Sequence, residues 1–146
     1  MNTIANAGGA ALDRIVALFA SLSRDDIARL GDFYAADARF RDPFNDVRDV
    51  PAIQRVFTHM FDALEAPRFV VRSVLHQDGR AFIGWDSVFA LRRGRAEQTI
   101  EGGSLLRLDA EGRIVEHTDY WDASELTARM PVLGAAVRWF KRRAAG

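Results

Sequence analysis

Asp42 is the first residue whose type and position could carry acid–base chemistry. It follows Ala38 and Phe40 at steps of two in a predicted strand, Ala38 to Asp42, which Pro43 ends because proline cannot donate to a sheet ladder. Asp42 therefore shares a face with apolar residues, and this face is expected to line a cavity. Apolar surroundings disfavour the charged carboxylate, raise its pKa and make it a better proton acceptor near neutral pH. The alternative is an aspartate before proline that only shapes a turn.

His117, Asp119 and Trp121 form a second candidate set, on one face of the last predicted strand. Side chains two residues apart on a strand lie about 7 Å apart, so a water or a substrate is expected between His117 and Asp119 rather than a direct hydrogen bond. Facing inward with Asp42, they would give the cavity one base and one acid. The alternative is that His117 and Asp119 face outward and pair with arginines, but Trp121 favours the inward orientation. No metal is predicted, because a third ligand and zinc spacing are missing.

The composition limits the classes of protein. A chain of 146 residues with 49% hydrophobic and 27% charged residues indicates one folded domain, 1–146, and excludes a disordered chain. Twenty basic and twenty acidic residues give no net charge, so nucleic acid is not expected as a partner. The absence of cysteine excludes disulfides and thiolate chemistry. No signal peptide, membrane span or cofactor-binding fingerprint is recognised, so a cytoplasmic protein without a cofactor is expected.

Two hydrophobic periods divide the chain into elements. Helical spacing predicts a helix from about Ala10 to Leu22, a short helix that carries Ile27, Leu30 and Tyr34, and a third that starts near Val50 with Asp49 as its cap. After Pro67 the period falls to two. This predicts an antiparallel meander of four strands: Phe69 to Gln77, Arg80 to Arg92, Arg95 to Leu108 and Arg113 to Trp121.

The order of elements predicts an α+β fold in which a curved antiparallel sheet wraps around the N-terminal helices. Gly102 and Gly103 inside the third meander strand predict a bulge or sharp bend that curls the sheet. Helix stripes seldom fill such a cone completely, so an internal apolar cavity with a few polar groups is expected.

The last part of the chain, about 124–143, is predicted to form a helical tail broken at Pro131. Four of its residues form an apolar stripe and three basic residues end it: Leu133, Ala136, Val137, Phe140, Lys141, Arg142 and Arg143. Such a helix is expected to dock over the open end of the cone or on a second subunit. The alternative is that it lies on a membrane surface.

Two segments resemble the nuclear transport factor 2-like superfamily, especially its SnoaL-like and ketosteroid isomerase-like branches. They are Phe33 to Phe44, FYAADARFRDPF, and Gly112 to Trp121, GRIVEHTDYW, and the resemblance extends from about Ala11 to Trp121. It implies a cystatin-like α+β roll that forms a cone, and a homodimer that packs sheet against sheet. Members include isomerases, dehydratases, cyclases, epoxide hydrolases and non-catalytic binders. In the isomerases, the aspartate before proline, here Asp42, is the general base that moves a proton alpha to a ketone.

The resemblance also shows what this sequence lacks. The two oxyanion-hole positions of the isomerases, a tyrosine and a protonated aspartate, fall at Leu18 and Ser104. Leucine cannot donate a hydrogen bond and serine is a poor substitute, so a true steroid isomerase is not expected. Tyr34 matches a tyrosine of the pocket network, whereas the pocket tyrosine of the third helix is replaced by Phe57.

These residues predict a domain that binds a small, apolar, oxygenated ligand and transfers a proton on it, as an isomerase, cyclase, dehydratase or hydrolase without a cofactor. Asp42 would be the base, His117 and Asp119 auxiliary acid–base groups and Tyr34 a hydrogen-bond donor. The predicted ligand contacts are Leu18, Phe57, Trp85, Ser104 and Trp121. The predicted outer, dimer-forming face contains Val88, Ile100, Leu105 and Tyr120. The alternative function is a non-catalytic binding or dimerisation module, which a filled cone would favour.

Overall fold

The described part of the chain consists of one curled sheet and the helices that pack against it. The computed structural model describes residues 2–91 and 93–128. The helices are α1, Asn2–Ala20, α2, Val50–Ala63, and α3, Ala123–Ala128, with a 3-10 helix at Arg24–Asp32. The strands are β1, Tyr34–Arg41, β2, Asp46–Arg48, β3, Glu65–Gln77, β4, Arg80–Ala90, β5, Gln98–Leu108, and β6, Ile114–Trp121. The predicted α+β class and curled sheet are confirmed.

The six strands lie in the order β2-β1-β6-β5-β4-β3. The predicted meander is present as β3 to β6, with antiparallel pairing throughout. β1 joins it by parallel pairing with β6, in which Phe40 lies opposite His117. This pairing places the two segments that carry the candidate site residues side by side.

The sequence predicts a loop at Phe44, Asn45 and Asp46, and the structure is more ordered between β1 and α2 than this prediction. β2 pairs antiparallel with β1, and an ion pair joins Arg39 to Asp46 across the two strands, at 2.6 Å. Asp49 caps α2 as predicted, because its side chain accepts a hydrogen bond from the backbone N–H of Ala52 at 2.9 Å. The helix is therefore fixed at its start, and its apolar face, with Ile53 and Phe57, packs into the core.

The core lies between the helices and the inward face of the sheet. The apolar stripe predicted for the first helix consists of Leu12, Ile15, Val16, Phe19 and Leu22. Val16 is partly buried, and the other four belong to one buried cluster with Ile53 of α2 and Ile83 of β4. Tyr34 and Phe40 of β1 are among the largest fully buried side chains. β1 is thus a central element of the core. The prediction of Tyr34 in the short helix is wrong, because that helix ends at Asp32 and Tyr34 begins β1.

The glycines of β5 do not form the predicted bulge. Gly102 and Gly103 keep continuous register with both neighbouring strands. A Cβ atom at Gly102 would lie 2.5 Å from the ring of Trp85, and one at Gly103 would overlap the ring of Phe82. The two glycines therefore leave room for aromatic rings on opposite faces of the sheet. Register shifts occur instead in β3, between Glu65 and Arg68 and between Val71 and Ser73, and at the end of β5.

Two other predictions are corrected or limited by the structure. Ile100 does not belong to the outer face, because it is only 3% exposed and lines the inside of the sheet. Of the predicted tail helix, only α3 falls within the described residues; Pro131, the apolar stripe and Lys141 to Arg143 lie outside them, as does Arg92. Among residues 2–91 and 93–128, no helix has the length and apolar character needed to cross a bilayer.

Candidate functional site

An apolar cavity of about 140 Å³ lies between the sheet and α2. A single water needs about 10–15 Å³, so the cavity can hold a small organic molecule. Its wall contains seven aromatic residues: Phe40, Phe44, Phe57, Phe69, Trp85, Phe89 and Trp121. Its polar residues are Asp42, Asn45, Ser87 and Asp119. The cavity predicted from the order of elements is therefore present, with both candidate aspartates in its wall.

Asp42 directly follows β1 and combines the two roles that its sequence suggested. Its Oδ1 accepts hydrogen bonds from the backbone N–H groups of Phe44, at 2.8 Å, and Asn45, at 2.7 Å. The amide Nδ2 of Asn45 lies 3.0 Å from each carboxylate oxygen. These bonds form the turn and also hold the half-buried carboxylate in the cavity wall.

Burial is the main cause of an altered proton affinity at Asp42. It raises the pKa of the Asp42 carboxyl to about 6, against the lowering effect of hydrogen bonds from Asn45 and Phe44, and the negative charge of Asp119 adds to the rise. A carboxyl with this pKa exchanges protons readily near neutral pH, as a general base or acid must.

His117 and Asp119 interact directly, which corrects the predicted separation. His117 Nε2 lies 2.7 Å from Asp119 Oδ1. The expected distance of about 7 Å applies to positions along the backbone, and the imidazole ring spans the difference by leaning toward the carboxylate. The inward orientation is as predicted: His117 is 2% exposed, and the rings of Phe19 and Phe40 pack edge-on against it.

Tyr34 continues this network into the core. Its hydroxyl lies 2.6 Å from His117 Nδ1. Burial raises the pKa of Tyr34 well above its ordinary value, with a further contribution from the charge of Asp119. Tyr34 therefore keeps its proton. The Asp119 carboxylate can only accept, so the proton of the neutral His117 ring lies on Nε2, and Nδ1 accepts the hydroxyl proton of Tyr34. His117 donates its Nε2 proton to Asp119 Oδ1.

Ser104 and Trp85 hold Asp119 from the other side. The Ser104 hydroxyl donates to Asp119 Oδ1 at 2.5 Å and accepts from Trp85 Nε1 at 2.9 Å. Oδ1 of Asp119 thus accepts two hydrogen bonds. Oδ2 accepts none from the residues that the structure describes, and Asp119 lines the cavity. This second oxygen is the part of the network that can meet a ligand.

Of the other predicted site residues, some line the cavity and others lie behind it or in the core. Phe57, Trp85 and Trp121 line the cavity, whereas Ser104 lines only a smaller space of about 10 Å³ behind it. Leu18 and Tyr34 are buried in the core and do not line the cavity. Leu18, a predicted ligand contact, packs against other apolar side chains, and the hydroxyl of Tyr34, predicted as a hydrogen-bond donor, is bonded to His117.

Several lining residues were not predicted from the sequence. Asn45 was assigned only to a loop, although an asparagine three residues after Asp42 is a signal for the turn that holds its carboxylate. Phe69, Phe89 and Ser87 reach the wall from β3 and β4. Side chains alternate between the two faces of a strand, so the inward position of these residues could have been predicted from the sequence pattern once the inner face was assigned.

Both carboxylates also border a wider groove on the surface. This groove is lined by Asp42 and Asp119 together with Arg41, Pro43, Thr118, Tyr120, Trp121 and Asp122. Asp42 and Asp119 therefore stand between the apolar cavity and solvent. Within the described ranges, no group of three or more histidine, aspartate and glutamate side chains is arranged to hold a metal ion.

Comparison with known proteins gives a family model and several similar structures. The model of the SnoaL-like domain matches residues 15–117. An NTF2-like protein of unknown function from Burkholderia pseudomallei has a TM-score of 0.71 at 15% identity, with 81% of this chain and 95% of that chain covered. A protein with a ketosteroid isomerase-like fold from Catenulispora acidiphila, in complex with trimethylamine, has a TM-score of 0.69 at 17% identity, with 78% and 88% covered.

A third similar structure is a protein from Shewanella putrefaciens assigned as a SnoaL-like polyketide cyclase. Its TM-score is 0.67 at 14% identity, with 83% of each chain covered. No curated protein matches the chain. At these identities, the solved structures establish the shared fold.

Proposed function

The chain belongs to the SnoaL-like domain family, and from that premise we propose that it binds an apolar, oxygenated small molecule in the aromatic cavity and moves a proton on it. The observation that carries this proposal is the pair of carboxylates, Asp42 and Asp119, in the wall of an otherwise apolar cavity. Isomerisation, cyclisation, dehydration and hydration all need such a proton transfer. None of these steps requires a cofactor when a carboxylate acts as the base.

Asp42 is the proposed base. Its raised pKa, about 6, leaves it ionised at pH 7 yet basic enough to accept a proton from a carbon or hydroxyl group of the ligand. The protonated, neutral form of Asp42 is stabilised by the partial burial of its carboxyl group and by the negative charge of Asp119. The surface groove beside both carboxylates offers a route by which this proton reaches solvent.

Asp119 is the proposed orienting group. His117 and Ser104 fix its Oδ1, so its Oδ2 can accept a hydrogen bond from a ligand hydroxyl at a defined position. Tyr34 acts through His117, as a positioning residue. This arrangement favours a ligand that carries a hydroxyl or enol near the carbon that loses its proton.

The arrangement gives little support to steroid isomerisation. Leu18 lies in the core, and the hydroxyl proton of Ser104 is donated to Asp119. Neither residue can donate to a developing oxyanion, and the loss of one such donor slows a reaction by about 10²–10³. Binding without turnover is therefore the second candidate function.

A proton-transfer assay separates these two candidates. We expect the protein to speed the replacement of the alpha protons of cyclohexanone by deuterium in D₂O, followed by proton NMR. Asp42→Asn should lower this rate by about 10² or more, because the base is lost. Asp78→Asn, which makes the same charge change in an exposed turn, is the matched control. A wild-type rate equal to that of buffer, with binding of the ketone retained, would support the binding module instead.

We also propose a homodimer formed by the outer face of the sheet. Leu75, Phe82 and Leu105 lie next to one another on three adjacent strands and are 67%, 38% and 41% exposed. Tyr120 on β6 extends this patch and is 55% exposed. An exposed apolar face of this kind is typical of an interface between copies of a chain.

A further inference from the structure

We propose that the aromatic cavity accepts a cationic ligand, a small alkylammonium ion, and that it discriminates in favour of positive charge. This inference goes beyond the proposed function, because it concerns the charge of the ligand and holds whether or not the ligand reacts. It rests on three observations: the size of the cavity, the aromatic side chains of its wall, and two carboxylates in that wall that form no ion pair with an arginine among the described residues.

The charges of the cavity wall are unbalanced. Asp42 and Asp119 are its charged residues, and within the described ranges no arginine, lysine or histidine lines it. Asp42 accepts hydrogen bonds from amide groups only. Asp119 is held by the hydroxyl of Ser104 and by the imidazole of His117, whose Nδ1 accepts the proton of Tyr34. Two carboxylates therefore face one apolar space, and within the described ranges neither forms an ion pair with an arginine; Arg41 borders the surface groove outside the cavity and bonds to Thr118.

Other carboxylates in the described part of the protein, unlike these two, form ion pairs with arginine. Ion pairs with arginine occur at six of them: Asp26, Asp46, Asp62, Asp86, Glu97 and Glu116. Four of those carboxylates, Asp46, Asp62, Glu97 and Glu116, are more than half exposed, and an arginine partner contributes little there. The partly buried pair in the cavity needs a counter-charge more, because charge is poorly solvated there. A ligand that carries positive charge would supply it.

The aromatic wall suits the same kind of ligand. The rings of Phe44 and Trp121 meet at 77° with their centroids 5.4 Å apart, and those of Phe69 and Trp85 meet at 67° and 5.1 Å. Ring faces attract a cation placed within about 6 Å of their centroids. An alkylammonium ion also has apolar groups that bury well against such rings. An anionic ligand would be repelled by both carboxylates.

Choline and 3,3-dimethylbutan-1-ol provide a matched pair to test this inference. The two molecules have nearly the same shape, and differ in a positively charged nitrogen against a neutral carbon. Binding to the full chain is measured by calorimetry at neutral pH, and the indole N–H signals of Trp85 and Trp121 in NMR spectra place each ligand in the cavity. We expect choline to bind at least about tenfold more tightly, from its charge and its contact with ring faces.

Variants show whether the carboxylates cause this preference. Asp42→Asn and Asp119→Asn should each reduce the ratio of the choline affinity to the 3,3-dimethylbutan-1-ol affinity severalfold, because the loss of a negative charge weakens the binding of the cation alone and both ligands carry the same hydroxyl. Asp78→Asn, outside the cavity, should change neither affinity. If Asp119→Asn does not fold, the test rests on Asp42→Asn. This variant is expected to fold, because its amide oxygen can still accept the backbone hydrogen bonds of Phe44 and Asn45.

Several outcomes overturn the inference. They are equal or weaker binding of choline, no binding of choline, a preference that survives Asp42→Asn, or ligand signals outside the cavity. Tight binding of the neutral alcohol alone would overturn the inference and leave the proposed function standing. Conversely, choline binding without any proton transfer on cyclohexanone would remove the proposed catalysis and retain the charge preference.

Discussion

At the scale of single residues, the ionised form of Asp42 is expected to lower the stability of the folded protein. Its pKa in the folded protein is about 6, against an ordinary value of 3.8. The folded state therefore binds the proton more tightly than the unfolded state, and stability falls as pH rises from about 4 to about 6. The difference corresponds to a loss of about 3 kcal/mol once Asp42 is ionised.

Asp42→Asn is accordingly expected to stabilise the protein at pH 7. The amide is neutral, and its oxygen can accept the backbone hydrogen bonds of Phe44 and Asn45. We expect the variant to be about 1–3 kcal/mol more stable than the wild type at pH 7, with a difference that shrinks toward pH 4. Urea unfolding of both proteins at the two pH values measures it. A difference that does not change with pH would contradict the assigned pKa.

The hydroxyl of Tyr34 has a structural role that a second substitution can isolate. Tyr34→Phe removes the donor to His117 Nδ1 and leaves a buried acceptor without a partner. We expect a loss of about 1–3 kcal/mol in the free energy of unfolding. Tyr120→Phe removes an exposed hydroxyl from a side chain that is 55% exposed and should change stability by less than about 0.5 kcal/mol. Equal effects of the two substitutions would argue against the Tyr34–His117 hydrogen bond.

At the scale of elements, β5 contains two adjacent glycines, Gly102 and Gly103, that differ in how much space a larger side chain would have. A Cβ atom at Gly102 would meet the ring of Trp85 and the backbone oxygen of Tyr120, at 2.5 and 2.9 Å. At Gly103 the three nearest atoms all belong to the ring of Phe82, which is 38% exposed. Trp85 is buried and bonded to Ser104, so it has little freedom to move, whereas Phe82 can turn toward solvent.

Gly102→Ala should therefore destabilise the protein more than Gly103→Ala. Overpacking of a rigid core costs about 1–3 kcal/mol, and we expect Gly102→Ala to reach the upper part of this range and Gly103→Ala the lower. Thermal unfolding of the two variants compares them directly. A shift of the Trp85 indole signal in Gly102→Ala would report the displaced ring. A larger loss in Gly103→Ala would contradict the assignment.

The sequence predicted elements that depend on local patterns better than contacts between distant segments. The four meander strands were placed within a few residues, because alternation and turn residues lie within each hairpin. The parallel pairing of β1 with β6 joins residues such as Phe40 and His117 that no local pattern connects. The His117–Asp119 hydrogen bond was missed for a related reason, since side-chain conformations depend on packing by Phe19 and Phe40.

At the scale of the whole molecule, the outer face of the sheet is the feature that the described residues leave uncovered. Leu75, Phe82 and Leu105 lie side by side there, on the face opposite the cavity. A second copy that packs on this patch would remove apolar surface from water, at about 25 cal/mol per Å². The proposed dimer would leave the cavity wall within each subunit.

Leu105→Glu should convert the proposed dimer to a monomer. A charge at the centre of an apolar interface would be buried without a partner. Sedimentation equilibrium of the wild type and the variant measures the change in mass. Ala10→Glu places a charge at an exposed position of α1 and serves as the control that should keep the dimer. A monomeric wild type, or a dimeric Leu105→Glu variant, would contradict the interface.

The parallel pairing of β1 with β6 also has a consequence for folding. Strands β3 to β6 are joined by hairpins and close only short loops, whereas the pairing of Phe40 with His117 closes a loop that contains most of the sheet. The meander is therefore expected to form first, and Asp42 to reach Asp119 only when the first strand docks on the last. Amide hydrogens of β1 should lose protection before those of β4 and β5 under mild denaturation, and the ability to bind ligand should disappear with them while most of the sheet persists.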